Sequence, residues 1–288
     1  MFKNLSAGAI GIRNYPLDAT ILLAAETGFA GIDFDIREAA HLLDEHGLDY
    51  VHDLFAEHNV LPGLWGLPVA WNNDEVWEAQ LDELPRLASV GVALGCTRTA
   101  TWLPSWSDVR EYDENFAWHV ERFRPIAQTL ADFGVRFGIE FLGPKTLRDG
   151  HEYDFIYTLS EMMELADAIG TGNVGLLLDA YHLFTSGGTV ADLDTITVDD
   201  VVTVHINDAP QDTAWDEMMD NDRRVPMETG VLDLVGLMRK LEEMGYDGPV
   251  TTEPFSKSLN MLAEVDPKGA AQRVSEAMDE LWRQSGIG

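Results

Sequence analysis

The sequence predicts a (β/α)8 barrel as a single domain over residues 1–288, and three observations carry that expectation. Eight short apolar or β-branched runs are spaced along the chain, amphipathic stretches lie between them, and the length suits one such barrel. Parallel strands need crossover helices, and closing the sheet removes its exposed edges. A doubly wound open sheet is the structural rival. No Pro/Gly/Ser linker or low-complexity tract interrupts the pattern.

The first candidate strand is 5–10 (LSAGAI), followed by a helical pattern over 17–28 that should stop at Gly28. Gly31 leads into the second strand, 31–35 (GIDFD), which finishes on acids, and the next stretches, with His41, His46, His52 and His58, read as helical. The third strand is 60–67 (VLPGLWGL), and a helix over 75–90 is expected to end at Gly91. The fourth strand is 96–102 (CTRTATW), and a helix over 113–133 closes on Gly134. The fifth strand, 135–142 (VRFGIEFL), is followed by a helix at 159–169, and the sixth and seventh are 174–179 (VGLLLD) and 201–206 (VVTVHI). Residues 207–230 have no periodicity; a loop longer than about 15 residues in a compact domain is more often functional than idle. A helix at 231–244 closes on Gly245, the eighth strand is 249–253 (PVTTE), and 268–283 reads as a final helix.

Composition narrows the function. Fifty acidic residues against 19 basic ones leave a formal charge of −31, a surface that repels nucleic acid. The acids are scattered along the chain and only five residues are Lys, a pattern expected of a halophile in which high ionic strength screens self-repulsion. A merely acidic mesophilic protein is the alternative. Cys96 is alone, so no intrachain disulfide can form. No apolar run reaches the roughly 18 residues of a membrane span and the N-terminus lacks a signal-like segment, so a cytoplasmic protein is expected.

In a (β/α)8 barrel the active site lies at the C-terminal face, so a polar residue finishing an apolar strand is informative. Four successive strands supply one: Glu140, Asp179, His205 and Glu253. Three carboxylates and an imidazole without a thiolate suit one divalent cation such as Mn²⁺, Mg²⁺ or Co²⁺ rather than a structural zinc. Each residue alone reads more readily as a helix cap or a satisfied polar group. Together, three converging carboxylates need a neutralising cation. His182, three residues beyond Asp179, has left the strand and is expected to contact substrate or relay a proton. Asp208 either orients the His205 imidazole from behind or caps the next helix.

The segments GIEFLGPKTLRDG, NVGLLLDAYHLFTSGGT, VHINDAP, DRRVPMETGVLDL and GYDGPVTTEPF resemble the xylose isomerase-like TIM-barrel superfamily, within it the group of inosose isomerase, ketose 3-epimerases and inosose dehydratase. The resemblance covers about residues 5 to 255 and is specific in the second half. It implies one divalent ion on Glu140, Asp179, His205 and Glu253, substrate contacts from His182 and from Arg223 or Arg224, and a homo-oligomer as a possibility. Met227 departs from the family pattern, in which a Gly often follows the Pro of this segment.

The resemblance implies isomerisation or epimerisation of a ketose, inosose or related polyol, for which Glu140 and Glu253 would exchange protons with the carbon beside a carbonyl through a cation-stabilised ene-diolate. Lys145 is a candidate for contact with a substrate oxygen or for proton donation, or a solvated loop lysine. Trp102 is the best placed of three tryptophans, with Trp65 and Trp215, that could wall a sugar pocket or simply pack. With no Gly-rich phosphate loop, an unphosphorylated substrate is preferred. Dehydration of an inosose or keto sugar is the nearest chemical rival, and a polyol-binding barrel without catalysis is the non-enzyme alternative.

Overall fold

A computed structural model describes residues 1–287. Eight parallel strands close into a barrel: β1 (Phe2–Leu5), β2 (Gly31–Phe34), β3 (Leu61–Gly66), β4 (Arg98–Trp102), β5 (Arg136–Glu140), β6 (Val174–Asp179), β7 (Val201–Ile206) and β8 (Pro249–Thr252). They pair in sequence order and β8 closes on β1, with Phe2 opposite Pro249. The eight expected strands are all present, and β6 and β7 match their expected limits. The first is shifted: β1 is Phe2–Leu5, and Gly8–Ile10 is a 3-10 turn ended by Gly11 at φ +88°. The small residues of SAGAI lack the bulk that packs a strand against its neighbours.

The surrounding helices are α1 (Leu17–Thr27), α2 (Ile36–His46), α3 (Leu48–His58), α4 (Trp77–Ala93), α5 (Tyr112–Asp132), α6 (Leu159–Ile169), α7 (Ala180–Thr185), α8 (Leu234–Met244), α9 (Lys257–Val265) and α10 (Pro267–Ser285). Gly28 and Gly245 cap α1 and α8 in the left-handed region that glycine enters without steric penalty. Gly91 does not end its helix but lies within α4, where a Cβ would come within 2.8 Å of the Trp65 indole nitrogen. Trp65 is therefore a core residue between sheet and helix, not a pocket wall. The short α7 and α9 had no periodic signal of their own. An antiparallel ribbon of Trp106–Ser107 with Tyr153–Asp154 lies outside the barrel. No helix among the described residues is long and apolar enough to cross a membrane.

The helix layer buries an ionisable ring. His119 on α5 is buried among the rings of Trp118, Phe155 and Trp71, at centroid distances of 4.8, 4.7 and 5.3 Å. Its Nδ1 pairs with the Asn115 carbonyl at 2.8 Å, and burial pushes its pKa down to about 4. The unfolded chain takes up a proton below about pH 6.5 that the folded chain refuses until about pH 4, so stability is full above the first value and lost on acidification. The expected loss is about 1.4 kcal/mol per pH unit across that window. His119→Phe should flatten that part of the stability curve in denaturant titrations; an unchanged slope would assign the acid sensitivity elsewhere.

Candidate metal centre

Strand alternation and register bring the four candidate ligand residues together. On β5, Phe137 and Ile139 face the helices while Gly138 and Glu140 face the barrel interior, where Leu64, Ala100 and Leu177 form a small apolar plug. Register sets Trp102 beside Glu140 and Asp179 beside His205. Glu253 lies one residue past β8, and its N–H donates to Asn207 Oδ1 at 2.7 Å.

One ligand atom each from Glu140, Asp179, His205 and Glu253 lies within 4.8 Å of the others. His205 Nδ1 stands 3.9 Å from Glu140 Oε1, 3.9 Å from Asp179 Oδ2 and 3.8 Å from Glu253 Oε2. These separations exceed hydrogen bonds but suit atoms that share one cation at roughly 2.0–2.6 Å. Glu140 Oε1 and both His205 ring nitrogens are buried without a hydrogen-bond partner. Orphaned acceptors facing one another across a small gap fit a divalent cation.

The electrostatics follow from that crowding. Burial, then the charge of Asp179, pushes the Glu140 carboxyl well above its usual range. Burial likewise raises Asp179, against the pull of Arg223 and His205. At Glu253 burial acts upward, but the neighbouring His205 and Arg223 outweigh it and the group sits below its usual value. Burial disfavours the charged form of His205, yet Glu253, Glu140 and Asp179 together push it up to about 9. His182 is held well below its usual value by burial, Arg223 and His205.

Asp179 caps a helix with one oxygen and turns the other to the cluster. Its Oδ1 caps α7, accepting from Tyr181 N at 2.6 Å and His182 N at 3.3 Å, while Oδ2 faces the ligand cluster. That cap lifts His182 over the site, 3.7 Å from Glu140 Oε1. Gly143 N–H points at His182 Nδ1 at 3.2 Å and Arg223 Nη2 at Nε2 at 3.0 Å, so donors are offered to both ring nitrogens. A neutral imidazole can accept only one of them.

The two adjacent arginines diverge. Arg223 is buried; its Nη1 donates to Asp179 Oδ2 at 3.0 Å and Glu253 Oε2 at 3.3 Å, and its Nη2 to Asp220 Oδ1 at 2.6 Å. Arg224 turns away to Asp222, and its backbone pairs with that of Asp208. Lys145 also lies outside the cluster, paired with Asp149 at 2.8 Å. Trp102 stands half-exposed at the rim, and Trp215 is exposed on a 3-10 turn of the long loop.

Asp208 does neither of the things expected of it. Its carboxylate accepts from the N–H groups of Ala209, Thr229, Gly230, Val231 and Leu232, clamping the two ends of the long loop together. The residue that ties the ligand strands together is Asn207, whose side chain donates to Asp179 Oδ2 at 3.2 Å and accepts from Glu253 N. Sequence reasoning missed Asn207 and Asp220; the one signal was that Asn207 follows His205 by two and so shares its face. Met227 holds φ +66°, a left-handed conformation in which glycine is unstrained. That conformation accounts physically for glycine's place in the family pattern at this position.

The structure is a closed (β/α)8 barrel with three carboxylates and an imidazole, a set that could hold a metal ion, at the C-terminal ends of consecutive strands, the face where barrel active sites lie. The chain belongs to the xylose isomerase-like TIM barrel family, whose profile matches residues 21–281. It is 28% identical over 138 residues to the inosose isomerase of Halalkalibacterium halodurans, a match that spans about half of each protein, 48% of this chain and 46% of the relative. It is 27% identical over 256 residues to the L-ribulose 3-epimerase of Methylomonas sp., covering 85% of this chain and 80% of the relative. A xylose isomerase domain protein from Alicyclobacillus acidocaldarius superposes with a TM-score of 0.85 at 27% identity over 99% of both chains.

Proposed function

We propose that the protein is a divalent-metal-dependent isomerase or epimerase of a ketose, inosose or related polyol. The observation that carries the reading is the convergence of Glu140, Asp179, His205 and Glu253, with Glu140 Oε1 and both His205 nitrogens lacking a protein partner. The kinship with an inosose isomerase and a ketose epimerase supports the substrate class. A divalent cation such as Mn²⁺, Mg²⁺ or Co²⁺ held by these four residues would polarise the substrate carbonyl and ease loss of the proton from the adjacent carbon.

The chain's own groups do the rest. Glu140 and Glu253, at the two ends of the arc made by β5 to β8, exchange a proton with the two faces of that carbon. His182 and Arg223 lie against the same cluster and orient substrate oxygens. Asn207 keeps Asp179 and Glu253 in register, and the apolar plug below excludes water from beneath. The excess of acidic over basic residues supports work at high ionic strength, where self-repulsion is screened.

The test is to incubate the Mn²⁺-loaded protein with a panel of ketoses and inososes in D₂O and follow them by NMR. Deuterium entering the carbon beside the carbonyl, with appearance of an epimer or isomer, is expected. Loss of water from the same substrate would make the protein a dehydratase instead. No exchange across the panel would overturn the catalytic reading.

A further inference from the structure

A cavity of about 800 Å³ opens at the same mouth but over the opposite strands, β1 to β3, lined among others by Ser6, Arg13, Tyr15, Asp33 and Arg37. A substrate held by its reacting end at Glu140, Asp179, His205 and Glu253 would have this space for its remaining groups. Most charges around it are committed. Asp35 caps α2, Glu38 accepts from Leu17 N, and Arg37 donates to Glu83 and to the Pro68 carbonyl. Asp33 differs: it has no ion-pair partner among the described residues and is held by neutral groups, the buried Asn4 amide and the Ser6 hydroxyl.

That amide is built for the purpose. Asn4 on β1 is 1% exposed; its Nδ2 donates to Asp33 Oδ1 at 2.6 Å and to Thr251 Oγ1 on β8 at 3.0 Å, which uses both of its protons. Its Oδ1 lies where a Cβ on Gly63 would collide with it, and a Cβ on Gly31 would come within 2.8 Å. The two glycines leave room for Asn4, and Asn4 fixes Asp33 at the cavity wall, where the carboxylate has lone pairs beyond those that Asn4 and Ser6 occupy. Burial pushes the Asp33 carboxyl up to about 6, and the charges of His205 and Glu253 act on it from across the mouth.

Resting on the isomerase or epimerase reading, we propose that Asp33 is a specificity-determining anchor that accepts hydrogen bonds from substrate hydroxyls remote from the reacting carbon. The ligand class is a neutral polyhydroxylated ketose or cyclic ketone long enough to reach from the four ligands to β2. A short ketone that ends at the ligands does not touch Asp33. The anchor binds and orients; the proton-transfer groups remain Glu140 and Glu253.

The test uses the full-length Mn²⁺-loaded protein and Asp33→Asn, which keeps an oxygen for Asn4 and should leave the melting temperature unchanged. D-psicose and 2-keto-myo-inositol probe the long reach, and dihydroxyacetone probes the reacting end alone. Calorimetric Kd values for the long probes should rise roughly ten- to hundredfold in the variant, while those for dihydroxyacetone and Mn²⁺ change less than about threefold. Unchanged binding of the long probes, or equal weakening of long and short ones, overturns the anchor, as does a wild type that binds no long probe. If the wild type binds them and Asp33→Asn weakens that binding, but no deuterium exchange occurs, the anchor stands and the isomerase reading falls. If exchange occurs and binding ignores Asp33, the reverse holds.

Discussion

Glu140→Gln and Glu253→Gln are each expected to lower turnover by roughly 10²–10⁴-fold, the range that one positioned acid or base contributes. The two changes preserve shape and remove the oxygen proposed to exchange the proton. Metal content should be matched before rates are compared, since both residues also belong to the ligand cluster. Glu140→Gln should leave the stability of the metal-free protein unchanged or slightly raised. Burial and Asp179 hold the folded Glu140 carboxyl well above its ordinary range, so above about pH 4.3 the folded chain keeps a proton that the unfolded chain has lost. That contribution is present below the unfolded value and falls as pH rises, and an amide has none of it. A Glu140→Gln protein that holds Mn²⁺ and exchanges deuterium within threefold of wild type would remove Glu140 from the chemistry.

Arg223→Met is expected to give the largest loss of stability, about 3–5 kcal/mol in the metal-free protein. Arg223 is buried against Asp179, Asp220 and Glu253, and its guanidinium lies 4.7 Å from the Phe255 ring centre and 4.9 Å from that of Tyr181. Met fills much of the volume but leaves three carboxylates without their shared counter-charge. Arg223→Lys should recover only part, because an ammonium cannot bridge three carboxylates with a planar fork. Urea unfolding in a chelator and in excess Mn²⁺ separates the contributions. Ligand at a hundred times its Kd adds about 2.7 kcal/mol, so the variant should regain much of its loss when loaded. A loss under about 1 kcal/mol in the chelator would mean that the carboxylates are neutralised by protonation instead.

The barrel was legible because its grammar is repetitive. Each strand is a short apolar run bracketed by turn residues, and Gly28 and Gly245 mark helix ends with the one residue that enters the left-handed region freely. The four cluster residues were legible for a related reason: a charged group at the end of a strand buried on both faces stands out, and barrel closure brings such ends together. What failed to show was everything that depends on loop geometry. Arg223 and Arg224 are adjacent and chemically identical, and only the path of 207–230 sends one inward and the other to Asp222. Asp208 looked like a partner for His205 because of its spacing, yet its acceptors were claimed by five backbone donors, four of which lie more than 20 residues away. Asn207 carries no charge and Gly91 sits in a helix rather than after it, so neither announced its role.

The clamp made by Asp208 has a consequence for how this chain can be changed. Both ends of the long loop are gripped by one carboxylate at the tip of β7, while Tyr181 and Thr146 hold its middle through the Met219 and Met218 carbonyls. The mount therefore belongs to the barrel, and the cargo between Asp208 and Thr229 is exchangeable. A foreign segment spliced there, provided it returns a guanidinium to the place of Arg223, would re-roof the mouth without disturbing its floor. For recombination in the laboratory, that makes the stretch a cassette.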